Sequence, residues 1–306
     1  MKVLIVCSKN SGRVAPFIVE QVESLCKIGV EADYFTVEGK GVSGYLKSRK
    51  LLLKKISSYQ PDLIHAHYGL SGLLANLQRK VPVVTTYHGS DINNSKIFPL
   101  SKFSMWLSAY SIFVSEKNRV KSRLKNNYSL IPCGVNIDLF IEKDKATARE
   151  ALHLDANRTY ILFSGAFDNA VKNPQLAIAA TELMPKVTLL ALSGYTREQV
   201  VLLMNAVDAV LMTSFTEGSP QFIKEAMACN CPVVSVPVGD VAEVIAGVEG
   251  CYLCSYGVDD VILKLKMAID FQYKTAGRKR MLALEMDSAT VATRIMELYE
   301  KIVDCD

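Results

Sequence analysis

Two rhythms of apolar residues alternate along this chain. Short Val-, Ile- and Leu-rich runs read as buried strands, and longer stretches with apolar positions every three to four residues read as amphipathic helices. In the first half, strands are predicted over Val3–Cys7, Ala32–Val37, Leu63–His67, Val83–Tyr87, Ser111–Val114 and Ser129–Ile131, with helices over Ala15–Ile28, Tyr45–Ser58, Gly72–Arg79 and Phe98–Ala109. A second series follows the link Val135–Phe140. Its strands are expected at Tyr160–Ser164, Val187–Leu192, Ala209–Thr213, Pro232–Val236 and Cys251–Cys254. Its helices are expected at Pro174–Leu183, Arg197–Val207, Pro220–Asn230, Asp259–Phe271 and Ser288–Val303. Strand–helix alternation of this kind predicts an α/β protein of two doubly wound, Rossmann-like domains, in which ligands lie at the carboxyl ends of the strands.

The 306 residues suffice for two such domains, and half of them are hydrophobic, as in a folded globular protein. No apolar run approaches the roughly 20 residues of a membrane-spanning helix. The first strand is too short for a signal peptide, so a cytoplasmic protein with eight reduced cysteines is expected. Charge is unevenly spread. Residues 1–140 hold 19 Lys and Arg against 9 Asp and Glu, net +10, whereas residues 141–306 hold 16 against 22, net −6. The basic half suits an anionic partner, and equally a solubilising surface.

The stretch Glu217-Gly218-Ser219-Pro220-Gln221-Phe222-Ile223-Lys224-Glu225 carries the most chemistry. Gly218 and Ser219 suit a helix cap and Pro220 a first helical turn. The amides and positive end of such a helix suit a phosphate. Glu225 lies about 7–8 Å along the axis from Glu217, at 1.5 Å per residue. Gln221, Phe222, Ala228 and Cys229 are its helical neighbours, so an ionised Glu225 requires a partner.

Glu217 to Glu225 resembles the E-x7-E signature of retaining GT-B glycosyltransferases of glycosyltransferase family 4. Matches extend through Met204–Ser214, Pro232-Val233-Val234, Val238-Gly239-Asp240, Ile131–Asn136, Thr86–Asp91 and His65-Ala66-His67. The resemblance implies two domains facing across a cleft: an acceptor-side domain over 1–138, a nucleotide-sugar domain over 139–286, and a last helix in 287–306 crossing back to the first. It implies sugar transfer from a nucleotide-diphosphate sugar to a hydroxyl acceptor with retained configuration, in polysaccharide or glycoconjugate biosynthesis, with no metal or other cofactor. Glu217 would hold sugar hydroxyls and Glu225 the ribose. Lys172 and the Gly218, Ser219 and Pro220 turn would hold the diphosphate, with Gly165 and Gly12 close by. Gly194 and Tyr195 would frame the base. His88 would sit among the catalytic groups, and Asp91 and Arg13 on the acceptor side. The acceptor would be a glycan or lipid-linked glycan, with peripheral contact at the inner face of the membrane and no nucleic acid bound.

Two departures from the family pattern stand out. Ala166 replaces an arginine that clamps the donor diphosphate, so Lys172 and the turn amides suffice, another base such as Arg13 or Lys224 compensates, or catalysis is lost. The last alternative is a non-catalytic GT-B subunit that binds nucleotide or glycan for a partner enzyme. The second domain also lacks one strand–helix unit between Leu183 and Val187, which predicts a smaller sheet. An epimerase of similar architecture is a further alternative, disfavoured by the two glutamates.

Several other motifs compete for attention. Gly39-Lys40-Gly41-Val42-Ser43-Gly44 has the G-x-G-x-x-G spacing of dinucleotide sites, but it follows the second strand and lacks a suitably placed acidic residue, so an acceptor-side loop is expected. Cys229 and Cys231 with Cys251 and Cys254 suggest zinc, although buried thiols fit their positions better. His65 and His67 share a strand face without an evident third ligand and read as packing groups. Ser11-Gly12-Arg13 is also ordinary turn chemistry. Leu100, Phe103, Trp106, Leu107 and Tyr110 form an apolar stripe expected to face the core, with a membrane-surface helix as the alternative.

Overall fold

The computed structural model describes residues 1–10, 12–39 and 41–304; Ser11 and Lys40, in two of the loops considered above, lie outside the described residues. The chain divides into two compact units, Met1–Gly134 with Ser288–Asp306, and Val135–Asp287. The division expected from sequence falls four residues later.

The first unit holds six strands: β1 (Lys2–Ser8), β2 (Glu31–Val37), β3 (Leu63–His67), β4 (Val83–Tyr87), β5 (Tyr110–Phe113) and β6 (Tyr128–Leu130). Its helices are α1 (Pro16–Lys27), α2 (Gly41–Lys47), α3 (Arg49–Tyr59), α4 (Gly69–Asn76), α5 (Ser90–Asn93), α6 (Phe98–Leu107) and α7 (Glu116–Ser122). The strands form one parallel sheet in the order β2-β1-β3-β4-β5-β6. One face of it packs Ile18, Val22 and Leu25 of α1 against the helix that closes the chain. The other takes Leu52 and Ile56 of α3 and Leu74 of α4.

The second unit holds β7 (Thr159–Phe163), β8 (Val187–Ala191), β9 (Ala209–Met212), β10 (Val233–Ser235) and β11 (Cys251–Leu253). Its helices are α8 (Lys145–Ala151), α9 (Pro174–Glu182), α10 (Arg197–Ala206), α11 (Gln221–Ala228), α12 (Val241–Val244), α13 (Val258–Asp270) and α14 (Gly277–Ala283). The parallel order is β11-β10-β9-β7-β8, a smaller sheet than the first. The terminal helix α15 (Ser288–Val303) places Val291, Ile295, Leu298 and Tyr299 in the core of the first unit.

Both sheets are doubly wound, so each has a point where successive strands leave in opposite directions and their carboxyl ends open a crevice. That point lies between β1 and β3 in the first unit and between β7 and β9 in the second. The loops after β1, β7 and β9 carry Gly12, Arg13, Gly165, Lys172, Glu217 and the Gly218-Ser219-Pro220 turn, whereas Gly194 and Tyr195 follow β8, His88 and Asp91 follow β4, and Glu225 lies within α11.

Some expectations need correction. The single helix over Tyr45–Ser58 is two, α2 and α3, meeting at Ser48. The G-x-G-x-x-G stretch, expected as a loop, runs from Gly41 as the start of α2 and packs on its own backbone: a Cβ on Gly44 would lie 2.5 Å from the carbonyl carbon of Gly39, and Gly39 exchanges hydrogen bonds of 2.7 and 2.9 Å with the Asn10 side chain. Glycine is required there by close approach within the stretch. All four thiols of the zinc-like set are buried, and burial pushes those of Cys229, Cys251 and Cys254 up to about 12.

The aromatic stripe on α6 points the other way from the preferred reading. Trp106 is 76% exposed and Phe103 48%, with their rings stacked. Ser101, Ser104 and Met105 face inward instead. The reason is close helix packing: a Cβ on Gly69 would fall 2.1 Å from Ser101 Oγ, and one on Gly72 2.5 Å from Ser104 Oγ. No large side chain fits between α4 and α6. Gly72→Ala is therefore expected to cost about 1–3 kcal/mol by overpacking. Trp106→Ala should stay within about 0.5 kcal/mol of wild type. Urea denaturation of both variants checks the packing.

Candidate functional site

In the second unit, Ser164-Gly165 follow β7, and a short 3₁₀ turn over Ala170–Lys172 leads into α9. Asn169 caps this turn through the amide of Val171, and Asn173 takes a left-handed conformation at φ 53°. Thr213, just past β9, donates to the carbonyls of Lys172 and Asn173 at 3.0 and 2.8 Å. The amide of Phe215 donates to Val171 O. The loop after β7 is thereby fastened to the loop after β9. Lys172 Nζ then reaches Glu217 Oε1 at 2.6 Å, with both side chains largely buried. Gly165 permits this, because a Cβ there would meet Lys172 Cγ at 3.2 Å. The buried hydroxyls of Ser164 and Ser214, at the ends of the same two strands, have no hydrogen-bond partner among the described residues.

The turn Gly218-Ser219-Pro220 leads into α11. Pro220 takes the N-cap position rather than the first helical turn, with extended backbone. The Ser219 hydroxyl donates to Asp240, and Pro220 at the N-cap has no side chain with which to cap the helix. Gly239, at φ +57°, lies against the turn so closely that a Cβ would fall 2.4 Å from Gly218 O. The turn is thus braced from the Gly239-Asp240 loop.

Glu225 is 5% exposed in the middle of α11, and the partner its apolar surroundings demand is Arg197, whose guanidinium lies 2.8 Å from Oε1. Arg197 also sits 4.7 Å over the ring of Phe140. It is the first residue of α10, fixed by a capping box in which Thr196 and Gln199 bond reciprocally. Sequence reasoning passed over Arg197, although the T-x-x-Q box and the unpaired Glu225 were both visible signals. Lys224 is fully buried, which removes it as a base facing a ligand. Gly194 takes φ +81°, and Tyr195 is half-buried against the core of this unit.

In the first unit, His88 follows β4. Its ring lies 4.5 Å from that of Tyr68 and 5.0 Å from that of Phe17, and Nε2 is 3.0 Å from His67 Nδ1. Cys133 Sγ lies 3.5 Å from Nδ1. His65 stacks on His67 and bonds Thr86 and Tyr299. Burial lowers the pKa of His65 to about 3 and holds that of His67 well below the usual imidazole range, so the pair is neutral. Among the described residues no three His, Cys, Asp or Glu side chains are placed to hold a metal ion. Asp91 is 3% exposed, and its two oxygens accept from the amides of Gly89 (2.9 Å) and Gly69 (3.0 Å). Burial raises its pKa to about 6 even though those amides favour the ionised form. Its carboxylate braces the loops after β3 and β4 rather than facing an acceptor. Gly12 (φ +88°) and Arg13 are exposed beyond β1.

Two family models match the chain in tandem: Glycosyltransferase Family 4 over residues 2–139 and Glycosyl transferases group 1 over residues 136–269. The chain belongs to glycosyltransferase family 4, with the GT-B fold class of two Rossmann-like units. A D-inositol 3-phosphate glycosyltransferase from Mycobacterium sp. (strain KMS) is 26% identical over 263 residues, covering 68% of this chain and 60% of the relative. The chain thus spans about 60% of the length of the first curated relatives it matches. Among solved structures, sucrose-phosphate synthase from Thermosynechococcus elongatus aligns with a TM-score of 0.84 at 18% identity, covering 100% of this chain and 99% of that one. HepE from Anabaena in complex with UDP aligns with a TM-score of 0.78 at 17% identity, covering 98% and 100%.

Removing Arg197 leaves the Glu225 carboxylate buried without its charge partner. Arg197→Ala is expected to cost about 3 kcal/mol, the lower end for breaking a buried pair because Arg197 is partly exposed. Adding Glu225→Gln should recover most of that loss, and a double-mutant cycle by chemical denaturation measures the coupling.

Proposed function

We propose that this chain transfers a sugar from a nucleoside-diphosphate sugar to a hydroxyl acceptor with retention of configuration, in polysaccharide or glycoconjugate synthesis and without a metal ion. The observation that carries this reading is the Lys172–Glu217 pair at the β7/β9 switch point, beside the start of the helix that holds Glu225. Lys172 lies where a cation would meet a diphosphate, with the Ser164 and Ser214 hydroxyls as further donors. The start of α11 adds the positive end of a helix. Glu217, paired with Lys172, would accept from sugar hydroxyls once a diphosphate takes the lysine. Glu225, with Arg197 on one oxygen, keeps acceptor capacity for the two ribose hydroxyls. Gly194 and Tyr195 frame the base.

The chemistry assigned to these groups is electrostatic. Charge grows on the diphosphate as the glycosidic bond breaks, and a preformed cation stabilises that transition state more than the ground state. The departing phosphate itself takes the acceptor proton on the face where it leaves, which retains configuration and needs no protein base. Gly12, Arg13 and His88 are assigned to the acceptor side. Because HepE was solved with UDP and UDP-glucose, uridine diphosphate sugars are the first donors to test.

Ala166 favours a second reading, a nucleotide- or glycan-binding subunit without turnover, since one diphosphate-facing cation of the family is missing. Turnover separates the two. Lys172→Ala and Glu217→Ala should each lower kcat by about 10²–10³-fold, the scale of losing one preorganised electrostatic group. Glu217→Ala should leave nucleotide affinity near wild type, whereas Lys172→Ala weakens it. Initial rates with UDP-glucose and a glycan acceptor, with the anomeric configuration of the product read by proton NMR, check the assignment. An inverted product contradicts retention, and a wild-type protein that binds UDP-glucose without turnover supports the subunit reading.

A further inference from the structure

β3 and β4 run side by side in the first sheet with His67 in register with Thr86, so the last imidazole of β3 lies beside His88, just past β4. The two rings are within 20° of a common plane, and His67 Nδ1 is 3.0 Å from His88 Nε2. Rings that meet nitrogen to nitrogen in this way share one N–H···N hydrogen bond, in which one ring donates and the other accepts.

The far nitrogen of His67 decides which ring donates. His67 is fully buried and neutral, so it carries a single N–H. Its Nε2 has no hydrogen-bond partner among the described residues, and His65 stacks on its ring at 4.4 Å. A proton on Nε2 would be a buried donor with nothing to receive it, which folded proteins avoid more strictly than a buried unpaired acceptor. The proton of His67 belongs on Nδ1, where it is donated to His88.

We infer that His67 is a positioning residue that fixes the tautomer of His88, with the lone pair of His88 on Nε2 and its hydrogen on Nδ1. Nδ1 lies 3.5 Å from Cys133 Sγ. Sulfur is a weak acceptor, so an oxygen of a bound ligand can replace it. From its half-buried place beside Phe17 and Tyr68, His88 thus offers a hydrogen and no basic nitrogen. The consequence for catalysis rests on the function proposed above: with its lone pair held by His67, His88 cannot take the acceptor's proton, which leaves that proton to the departing phosphate.

The chain has four histidines, and the exposed His153 stands outside this group as an internal reference. Nitrogen-15 spectra of the imidazoles, recorded on the full chain near pH ~7.5, about one unit above the ordinary imidazole pKa, separate protonated from bare ring nitrogens. Wild type should show His88 protonated at Nδ1 and bare at Nε2, the reverse of the form that free imidazole side chains favour in water. His67 should be protonated at Nδ1, with a scalar coupling across the hydrogen bond to His88 Nε2. His67→Leu should shift His88 to the Nε2–H form, and His67→Asn, whose amide nitrogen takes the place of Nδ1, should restore Nδ1–H. Circular dichroism shows whether the variants fold, and the wild-type spectrum decides by itself if they do not. The inference is overturned if wild-type His88 carries its proton on Nε2 or exchanges between the two forms, or if a folded His67→Leu leaves His88 unchanged. No nucleotide or sugar enters the experiment, so a chain without transferase activity gives the same spectra and the two readings fail separately.

Discussion

The ion pair between Lys172 and Glu217 is the constraint around which the loops of the second unit are arranged. It joins the loops that follow β7 and β9, the two strands on either side of the switch point. Both partners are mostly removed from water, so they are held in one geometry and weakly screened. The pair depends on much that surrounds it. Thr213 grips the two carbonyls at the end of the 3₁₀ turn, Gly165 leaves room for the lysine chain, and Asp240 and Gly239 hold the turn that follows Glu217. A lysine whose loop is fixed in this way keeps its position when its counter-ion is exchanged, the condition under which electrostatic groups act best on a transition state.

The two glutamates of the signature are treated differently by the fold. Glu217 meets a lysine on a loop, whereas Glu225 meets an arginine that opens the preceding helix α10 and is itself stacked on Phe140. In the first unit a buried carboxylate serves structure: Asp91 fastens the loops after β3 and β4 through backbone amides, which presents His88 at the end of its strand. The neutral histidines behind it are packed and hydrogen-bonded, with His65 tied to Tyr299 of the terminal helix. That helix therefore contributes a polar contact to the first unit as well as apolar burial.

Strands were the most legible elements. Leu63–His67 and Val83–Tyr87 are read without error because each opens on a pair of aliphatic residues and carries only β-compatible side chains along a fully buried length. Glu116–Ser122 and Lys145–Ala151 were missed because they are short and highly charged and carry no apolar stripe; only the second has a side-chain cap, from Asp144. The α6 stripe misled for a different reason. Periodicity locates an apolar face, but not which face a glycine-lined neighbour will accept, and Gly69 and Gly72 admit only serines. Among the candidate residues, local pattern placed Glu217 before a helix and Glu225 within it, and the structure has both there, with Lys172 closing the 3₁₀ turn. It could not disclose that Ser219 bonds Asp240, that Asp91 turns inward, or that Arg197 is the partner of Glu225, since each depends on residues distant in sequence.

The central claim is that the second unit binds a nucleotide diphosphate with Glu225 on its ribose. The most direct measurement is the shift in thermal stability of wild type and Glu225→Ala with UDP, GDP, ADP and CMP. A ligand a hundredfold above its dissociation constant adds about 2.7 kcal/mol of stability. A rise in Tm with one nucleotide diphosphate that largely disappears in the variant is the predicted result. Stabilisation of equal size in both proteins, or none with any nucleotide, would contradict it.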